Sequence, residues 1–202
     1  MSKATSQLSG MRLARQATPQ RLGMTFFLLV TALLLSPASQ ANQYISERKL
    51  LNYLDSYGNL FLRNAKHLKL PDPLVVQGNM NLEYSNIEYL PRKLTVEGNL
   101  NLAYSKIKKL PLQLVVQGYI NLAHSEITSL NNGLQVPGDL SLMGTKITQL
   151  PPYLYVGGDL YLANTAISEL PQYLVVKGNV YLGGAPVTQF PKEISVGGKI
   201  YQ

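Results

Sequence analysis

The sequence has no cysteine, and it has only two histidines, His67 and His124, among 202 residues. Without cysteine the chain has neither a disulfide nor a thiol for lipid attachment, so a lipoprotein anchor of that kind is excluded. The histidines have no cysteine to accompany them in a metal or nucleophile site. We therefore expect the chain to work without a metal ion or a cofactor.

Enzyme signatures are also missing. The glycines recur at a fixed interval and do not form a glycine-rich phosphate loop. A column of serine and threonine residues has no base paired with it, which argues against a catalytic serine. Asp139 and Asp159 are the nearest approach to a carboxylate cluster, but two carboxylates are too few for a calcium site. We expect no catalysis, and polysaccharide cleavage at this pair is the weakest of three functional hypotheses.

No apolar run is long enough to span a membrane as a helix. The run at residues 24–35 has 12 residues, whereas a spanning helix needs about 20. It is followed by small residues up to Ala41 and preceded by a basic lead. The basic lead consists of Lys3, Arg12, Arg15 and Arg21. This order predicts a signal peptide over residues 1–41 and an exported protein, periplasmic or extracellular. The alternative is a retained membrane anchor.

The positive charge is concentrated in that predicted signal. The formal net charge is +7, from 18 Lys and Arg against 11 Asp and Glu. Residues 1–41 contain four of the bases and none of the acids, so the remaining 14 bases and 11 acids leave +3. A balance this small does not indicate nucleic-acid binding.

One local basic cluster remains after the signal is set aside. Its members are Arg92, Lys93, Lys106, Lys108 and Lys109. Such a cluster suits an anionic lipid headgroup, a polysaccharide or an acidic protein. Three glutamates fall on adjacent turns, namely Glu83, Glu88 and Glu97. We favour a solvated surface of mixed charge over a dedicated anion site.

The sequence is dominated by a twenty-residue repeat. It occurs seven times over residues 51–190 without insertion or deletion, and a partial eighth copy covers residues 191–202. One unit, residues 91–110, has the sequence PRKLTVEGNLNLAYSKIKKL. Strict spacing of this kind is typical of a solenoid, in which each repeat is one turn of a coil. We predict a repeat solenoid of seven to eight turns over residues 51–202, mainly of β-structure.

Stacking the repeats aligns an unbroken glycine column. It contains Gly58, Gly78, Gly98, Gly118, Gly138, Gly158, Gly178 and Gly198. The column indicates a backbone position with positive φ, or one with no room for a Cβ. Alternating runs lie on both sides of it, such as Leu94-x-Val96 and Leu100-x-Leu102, and predict two strands that meet at the glycine.

Further columns predict the core. Each turn directs six apolar side chains inward, which in residues 91–110 are Leu94, Val96, Leu100, Leu102, Ile107 and Leu110. Proline follows the last of these in most copies, as Pro111 does, and suits a corner because it cannot donate to a strand ladder. Asn131-Asn132-Gly133 replaces it in one copy. The serine and threonine column is expected to satisfy backbone groups at a bend.

The pattern L-x-L-x-x-S-x-I-x-x-L-P, from Leu100 to Pro111, resembles the bacterial leucine-rich repeat, L-x-L-x-x-N-x-L-x-x-L-P. The resemblance covers residues from about 51 to 202 and implies repeats of the Leu-Pro type, whose strand face binds protein partners. Serine or threonine stands for the family's asparagine, and Glu97 stands where the family has leucine. These departures favour a squarer coil with two strands per turn, approaching a β-helix, over a horseshoe.

The two ends carry separate predictions. Residues 42–56 are predicted as an N-terminal cap with a short helix, in which Ser46 is the N-cap. The apolar face of that helix would contain Ile45, Leu50, Leu51 and Leu54. At the other end, the charges of Lys192, Glu193 and Lys199 are expected to blunt the open strand edge. The alternative is an end-to-end homodimer through the C-terminal turn.

Function is expected on the outward positions around the second strand of each turn. We predict partner-binding residues at Asn81, Asn101, Tyr104, Tyr119, Asn121, His124, Tyr161 and Tyr181. Tyrosine supplies rigid contact area with a polar tip, although tyrosine stacking and asparagine ladders also occur for packing alone. The main hypothesis is a binding module for a protein partner. The alternative is a carbohydrate or cell-surface binder that uses the tyrosine and asparagine columns.

Overall fold

The computed structural model describes residues 43–44, 46–66 and 68–202. The chain divides into two compact units, and the described residues belong to the second, Asn42–Gln202. The signal peptide predicted over residues 1–41, Ile45 of the predicted helix face and His67 lie outside the described residues. Within the described part, no helix combines the length and apolar character needed to cross a membrane.

The described chain is a parallel β-solenoid of about seven turns with almost no helix, as the repeat predicts. Its largest sheet, called here the front sheet, has eight parallel strands, one per turn. They are Leu60–Phe61, Met80–Asn81, Leu100–Asn101, Ile120–Asn121, Leu140–Ser141, Leu160–Tyr161, Val180–Tyr181 and Ile200–Tyr201. Each strand pairs with the strand one repeat away, for example Leu100 with Ile120. Like residues therefore lie above like residues.

Every turn after the first has a second strand, so the coil departs from a horseshoe, which has one strand per turn. These strands form two separate parallel sheets rather than one. The first contains Leu74–Val76, Lys93–Val96 and Gln113–Val116, and the second contains Gln135–Val136, Tyr155–Val156, Val175–Val176 and Ser195–Val196. The interruption coincides with Pro137. At the equivalent position Gln117 donates its N–H to the Val96 carbonyl at 3.0 Å, and proline has no N–H to donate to Val116.

The N-terminal cap contains a short helix, Glu47–Leu50, followed by a 3-10 helix, Leu51–Tyr53. Strand Gln43–Tyr44 precedes it and pairs with Leu68–Lys69. Leu50 is buried, but Leu51 is 63% exposed. The predicted shared face is wrong at Leu51, because the helix tightens to 3-10 geometry there and the periodicity of the face changes.

The glycine column exists because the stacked turns leave no room for a Cβ. Gly98 donates its N–H to the Gly78 carbonyl at 3.0 Å, and Gly118 donates to Gly98 at the same distance. A Cβ on Gly98 would lie 2.8 Å from the backbone of Gly78. Of the two explanations offered by the sequence, close approach therefore applies. Gly58, in the first turn, also has a positive φ of 74°.

The six predicted core columns point inward, except near the C-terminal end, where Phe190 of the leucine column is 42% exposed. In residues 91–110, five of the six side chains are fully buried and Leu110 is 4% exposed. The serine and threonine column is buried as well, and its hydroxyls donate to the carbonyl three residues earlier, as Ser105 does to Leu102 at 2.6 Å. The structural role predicted for this column is confirmed. Ser85 is the exception, since its buried hydroxyl has no hydrogen-bond partner among the described residues.

Candidate functional site: the front face

The front face is the outer surface of the front sheet together with the residues that flank each strand. It carries all eight predicted partner-binding residues. Asn81, Asn101 and Asn121 pair side by side in neighbouring strands, and Tyr161 pairs with Tyr181 further along the same column. Tyr119 lies just before its strand, and Tyr104 and His124 lie in the turn just after theirs. The structure therefore brings the predicted residues onto one surface.

The asparagines of the front face have two different roles. Those just before the strands link successive turns. The Asn59 Oδ1 accepts hydrogen bonds from the backbone N–H of Asn79 at 2.7 Å and from the Asn79 Nδ2 at 2.9 Å. The Asn79 Oδ1 accepts hydrogen bonds from the same two groups of Asn99. We call this column the Asx ladder. It resumes with Asp139, whose Oδ1 accepts the Asp159 N–H at 2.8 Å.

The asparagines within the strands close their own turns instead. The Oδ1 atoms of Asn81, Asn101 and Asn121 accept the N–H two residues later, at 3.0–3.1 Å. Such Asx turns are a common structural use of asparagine. The hypothesis that these three side chains hydrogen-bond along the stack is wrong. Each of these side-chain oxygens already accepts one hydrogen bond, so a partner would use the remaining lone pair or the amide N–H groups.

Tyr119 interrupts the Asx ladder. Its own N–H is bound by the Asn99 Oδ1 at 2.9 Å, but a phenol cannot accept the N–H of the next turn as an Asx oxygen does. No partner for the Asp139 N–H is found within the described residues. Tyr119 therefore replaces a stabilising ladder residue by a ring that is 39% exposed on the front face.

Three aromatic rings stack along the turns that follow the strands, and we call Tyr84, Tyr104 and His124 the aromatic column. The centroid distances are 4.7 Å between the tyrosines and 4.8 Å between Tyr104 and His124. These distances match the spacing of stacked strands. The Arg63 guanidinium lies over the outer face of Tyr84, 5.8 Å from the ring centroid, and it is held by an ion pair with Glu83 at 3.0 Å.

All three members of the aromatic column have left-handed backbone conformations, with φ between 55° and 57°. Asparagine or glycine fills this backbone position in the other described turns, at Asn64, Gly144, Asn164 and Gly184. Tyr84 was not among the predicted binding residues. The alternation of asparagine and glycine in its column is the sequence signal of a left-handed position, and it identifies the tyrosines and the histidine as departures.

A second stack occupies the C-terminal part of the front face. Tyr161, Tyr181 and Tyr201 lie parallel, with ring centroids 4.9 and 5.0 Å apart. The Tyr161 hydroxyl donates to the Asp159 Oδ2 at 3.3 Å. Partial burial, together with the negative charges of Asp159 and Asp139, raises the pKa of Tyr161 above its usual value. The phenol is the donor in this hydrogen bond, which favours its protonated form.

Asp139 and Asp159 stack one turn apart, as expected from the repeat. Each uses its Oδ1 to accept the N–H of the following turn, and the Asp159 Oδ2 also accepts the Tyr161 hydroxyl. The two carboxylates are thus members of the Asx ladder. Over the described residues there is no group of three or more potential metal ligands.

Comparison with protein-family models, with curated proteins and with solved structures finds no match for this chain. The geometry of the front face is therefore the basis on which a function is assigned to this chain.

Proposed function

We propose that this protein is an exported binding module of the leucine-rich-repeat type that docks a protein partner through its front face, without catalysis. The observation that carries the proposal is the aromatic column. Export rests on the signal-like sequence of residues 1–41, and the repeat type rests on the Leu-Pro pattern. The binding surface consists of the eight residues predicted from the sequence, extended by Tyr84.

The aromatic column is under backbone strain. A left-handed conformation costs a residue with a Cβ about 1–2 kcal/mol, and glycine or asparagine adopts it more readily. The same fold accepts Asn64 and Gly144 at this position, so stacking of the turns does not require Tyr84, Tyr104 or His124. Strained side chains exposed on a rigid surface are typical of functional sites. Exposure of 45% for both tyrosines leaves them accessible to a partner.

A rigid protein surface favours binding, because little side-chain freedom remains to be lost. Each ring of the aromatic column is fixed between neighbours one turn away, and Arg63 and Gly144 border the two ends of the column. Tyrosine and arginine are also the residues that dominate binding energy at protein interfaces.

The geometry favours a protein over a carbohydrate ligand. Sugar rings pack their C–H groups on the open faces of aromatic rings. In the stack of Tyr161, Tyr181 and Tyr201 the faces of the middle ring are covered, with interplanar angles of 5° and 7°. The exposed parts are ring edges and hydroxyl groups, which suit hydrogen bonds and edge contacts with a protein. Carbohydrate binding remains the second candidate because the outer face of Tyr201 is open, at 45% exposure.

The test is affinity capture from periplasmic extract and culture medium, comparing the wild-type protein with a front-face variant. The variant Tyr104→Asn with His124→Gly introduces residues that the same backbone position already accepts. Tyr173→Gly is the matched control, because Tyr173 has a similar φ of 60° and 48% exposure but lies at a corner. We expect one protein partner to be retained by the wild type and the control and lost by the front-face variant.

Equal capture by all three proteins would contradict the proposal. A glycan array provides the second arm. Glycan binding that is abolished by Tyr161→Ala with Tyr181→Ala, in the absence of a captured protein, would replace the protein partner by a carbohydrate.

A further inference from the structure

Two large apolar side chains, in columns that are otherwise polar apart from one proline, lie at one corner of the coil. Tyr89 is 80% exposed and Leu112 is 88% exposed. The column of Tyr89 otherwise contains Lys69, Lys109, Ser129, Gln149, Glu169 and Gln189. The column of Leu112 otherwise contains Asp72, Arg92, Asn132, Pro152, Gln172 and Lys192. Neither side chain is needed for the stacking of turns, since each lies outside the buried core.

Tyr89 and Leu112 line the same groove, which we call the corner groove. It has a volume of about 400 Å³ and is also lined by Leu90, Arg92, Lys109, Leu110, Pro111 and Gln113. Leu110 is buried and Leu90 is half-buried, so the groove has an apolar floor. A second groove of about 430 Å³ shares Tyr89, Leu90 and Arg92 with the first and extends to Lys69 and Asp72 on the preceding turn.

The rim of the two grooves is basic. Lys69, Arg92 and Lys109 line them, with Asp72 as the one acid. Asp72 is neutralised by Arg92, whose Nε lies 2.8 Å from its Oδ2. No ion pair of Lys69 or Lys109 is found within the described residues. A ligand in the corner groove therefore meets apolar walls flanked by uncompensated positive charge.

We infer that the corner groove is a second docking surface, whose occupant is an extended peptide segment with acidic side chains next to a large aliphatic side chain. The apolar walls would take the aliphatic side chain, and the lysines would pair with the acids. The two grooves extend over three turns, or about 10 Å at the strand spacing. This length matches about three residues of extended chain.

The groove favours a peptide over a membrane surface. Tyr89 and Leu112 line it together with the apolar floor, so one aliphatic side chain of a ligand would have apolar contacts on more than one side. The corner groove is separate from the front face, because its residues lie on both sides of the core residues Leu90 and Leu110 in the chain and none of them belongs to the front sheet. Loss of one surface would leave the other intact.

The test measures fluorescence polarisation of a short labelled peptide of alternating glutamate and leucine, titrated with purified protein. A peptide with lysine for glutamate and one with serine for leucine are the matched probes. The variants Leu112→Asn, Tyr89→Ser and Lys109→Gln each introduce a residue found elsewhere in the same column. Tyr104→Asn, on the front face, is the control variant.

We expect the glutamate–leucine peptide to bind, each of the three groove variants to weaken it about tenfold, and Tyr104→Asn to leave it unchanged. No binding at millimolar protein, equal binding of the lysine probe, or insensitivity to the groove variants would overturn the proposal. Vesicles containing phosphatidylserine provide a further arm. Vesicle binding that requires Leu112 and Tyr89, without peptide binding, would assign the surface to a membrane. That result would also overturn the proposal of a peptide occupant.

Discussion

The N–H of Gly98 donates to the carbonyl oxygen of Gly78 at 3.0 Å, and a Cβ on Gly98 would lie 2.8 Å from that same oxygen. Gly98→Ala must therefore separate two turns or break this bond. We expect it to reduce the free energy of unfolding by about 1–3 kcal/mol, as overpacking does. Urea unfolding followed by circular dichroism measures the loss. Gln117→Ala, an exposed neighbour of the same column, is the control, and equal stability of the two variants would contradict close approach.

The interruption of the Asx ladder at Tyr119 predicts a stabilising substitution. Tyr119→Asn supplies an oxygen for the N–H of Asp139, which has no partner within the described part of the chain. One added hydrogen bond should raise the free energy of unfolding by about 0.5–1.5 kcal/mol. Tyr119→Ala removes the ring without repairing the ladder and should give no such gain. If both variants behave alike in urea unfolding, the ladder is not limited by Tyr119.

The buried hydroxyl column offers a matched pair. Ser105 donates to the Leu102 carbonyl at 2.6 Å, whereas the Ser85 hydroxyl has no partner in the described residues. Ser105→Ala should cost about 1 kcal/mol. Ser85→Ala should cost nothing or stabilise, because it removes an unsatisfied buried polar atom. Ala65 and Ala185 already occupy this column. Thermal unfolding of both variants is the measurement, and a larger loss for Ser85→Ala would contradict the assignment.

The raised pKa of Tyr161 predicts a dependence on alkaline pH. The unfolded chain loses this proton near pH 10, while partial burial and the charges of Asp159 and Asp139 delay its loss in the folded protein. Above about pH 10 the folded state thus binds more protons than the unfolded state, and stability falls as pH rises. The contribution is fully present below about pH 10 and is lost as pH rises through the folded pKa of Tyr161.

Ultraviolet absorbance of tyrosinate tests this directly. The difference between wild type and Tyr161→Phe should titrate above pH 10, and Asp159→Asn should move that titration to lower pH. A difference curve centred at or below pH 10 would show that the environment of Tyr161 does not raise its pKa.

The repeat period predicts most of the fold because one spacing imposes every column at once. The solenoid, the inward direction of Leu94 and Leu100 and the structural use of Ser105 all follow from it, and the structure confirms them. The choice between positive φ and close approach at Gly98 could not be made in advance, since it depends on how tightly turns stack. Pro137 is the only proline in its column, so the sequence marks this position as unusual. Whether a proline there interrupts the sheet depends on whether the N–H of that residue is the one that bonds to the neighbouring strand.

The front face shows where sequence reasoning stops. Asn79 and Asn81 both belong to outward columns of asparagine. Yet the Asn79 Oδ1 accepts hydrogen bonds from Asn99 on the next turn, whereas the Asn81 Oδ1 accepts the N–H of Glu83 in its own turn. That Asn81, Asn101 and Tyr104 bind a partner stays a prediction, as do export and the end-to-end homodimer. The left-handed position of Tyr84 could have been found from the asparagine and glycine residues of its column.

The stacked glycines also constrain how such a chain can change its length over evolutionary time. A single inserted codon between Gly78 and Gly98 would lengthen that turn by one residue and put the residues on one side of the insertion out of register with the adjacent turn. Loss or gain of a complete twenty-codon unit preserves all of these alignments. Related genes should therefore differ by whole repeat units, and recombination between repeats, rather than small insertions, is the route to a longer or shorter coil.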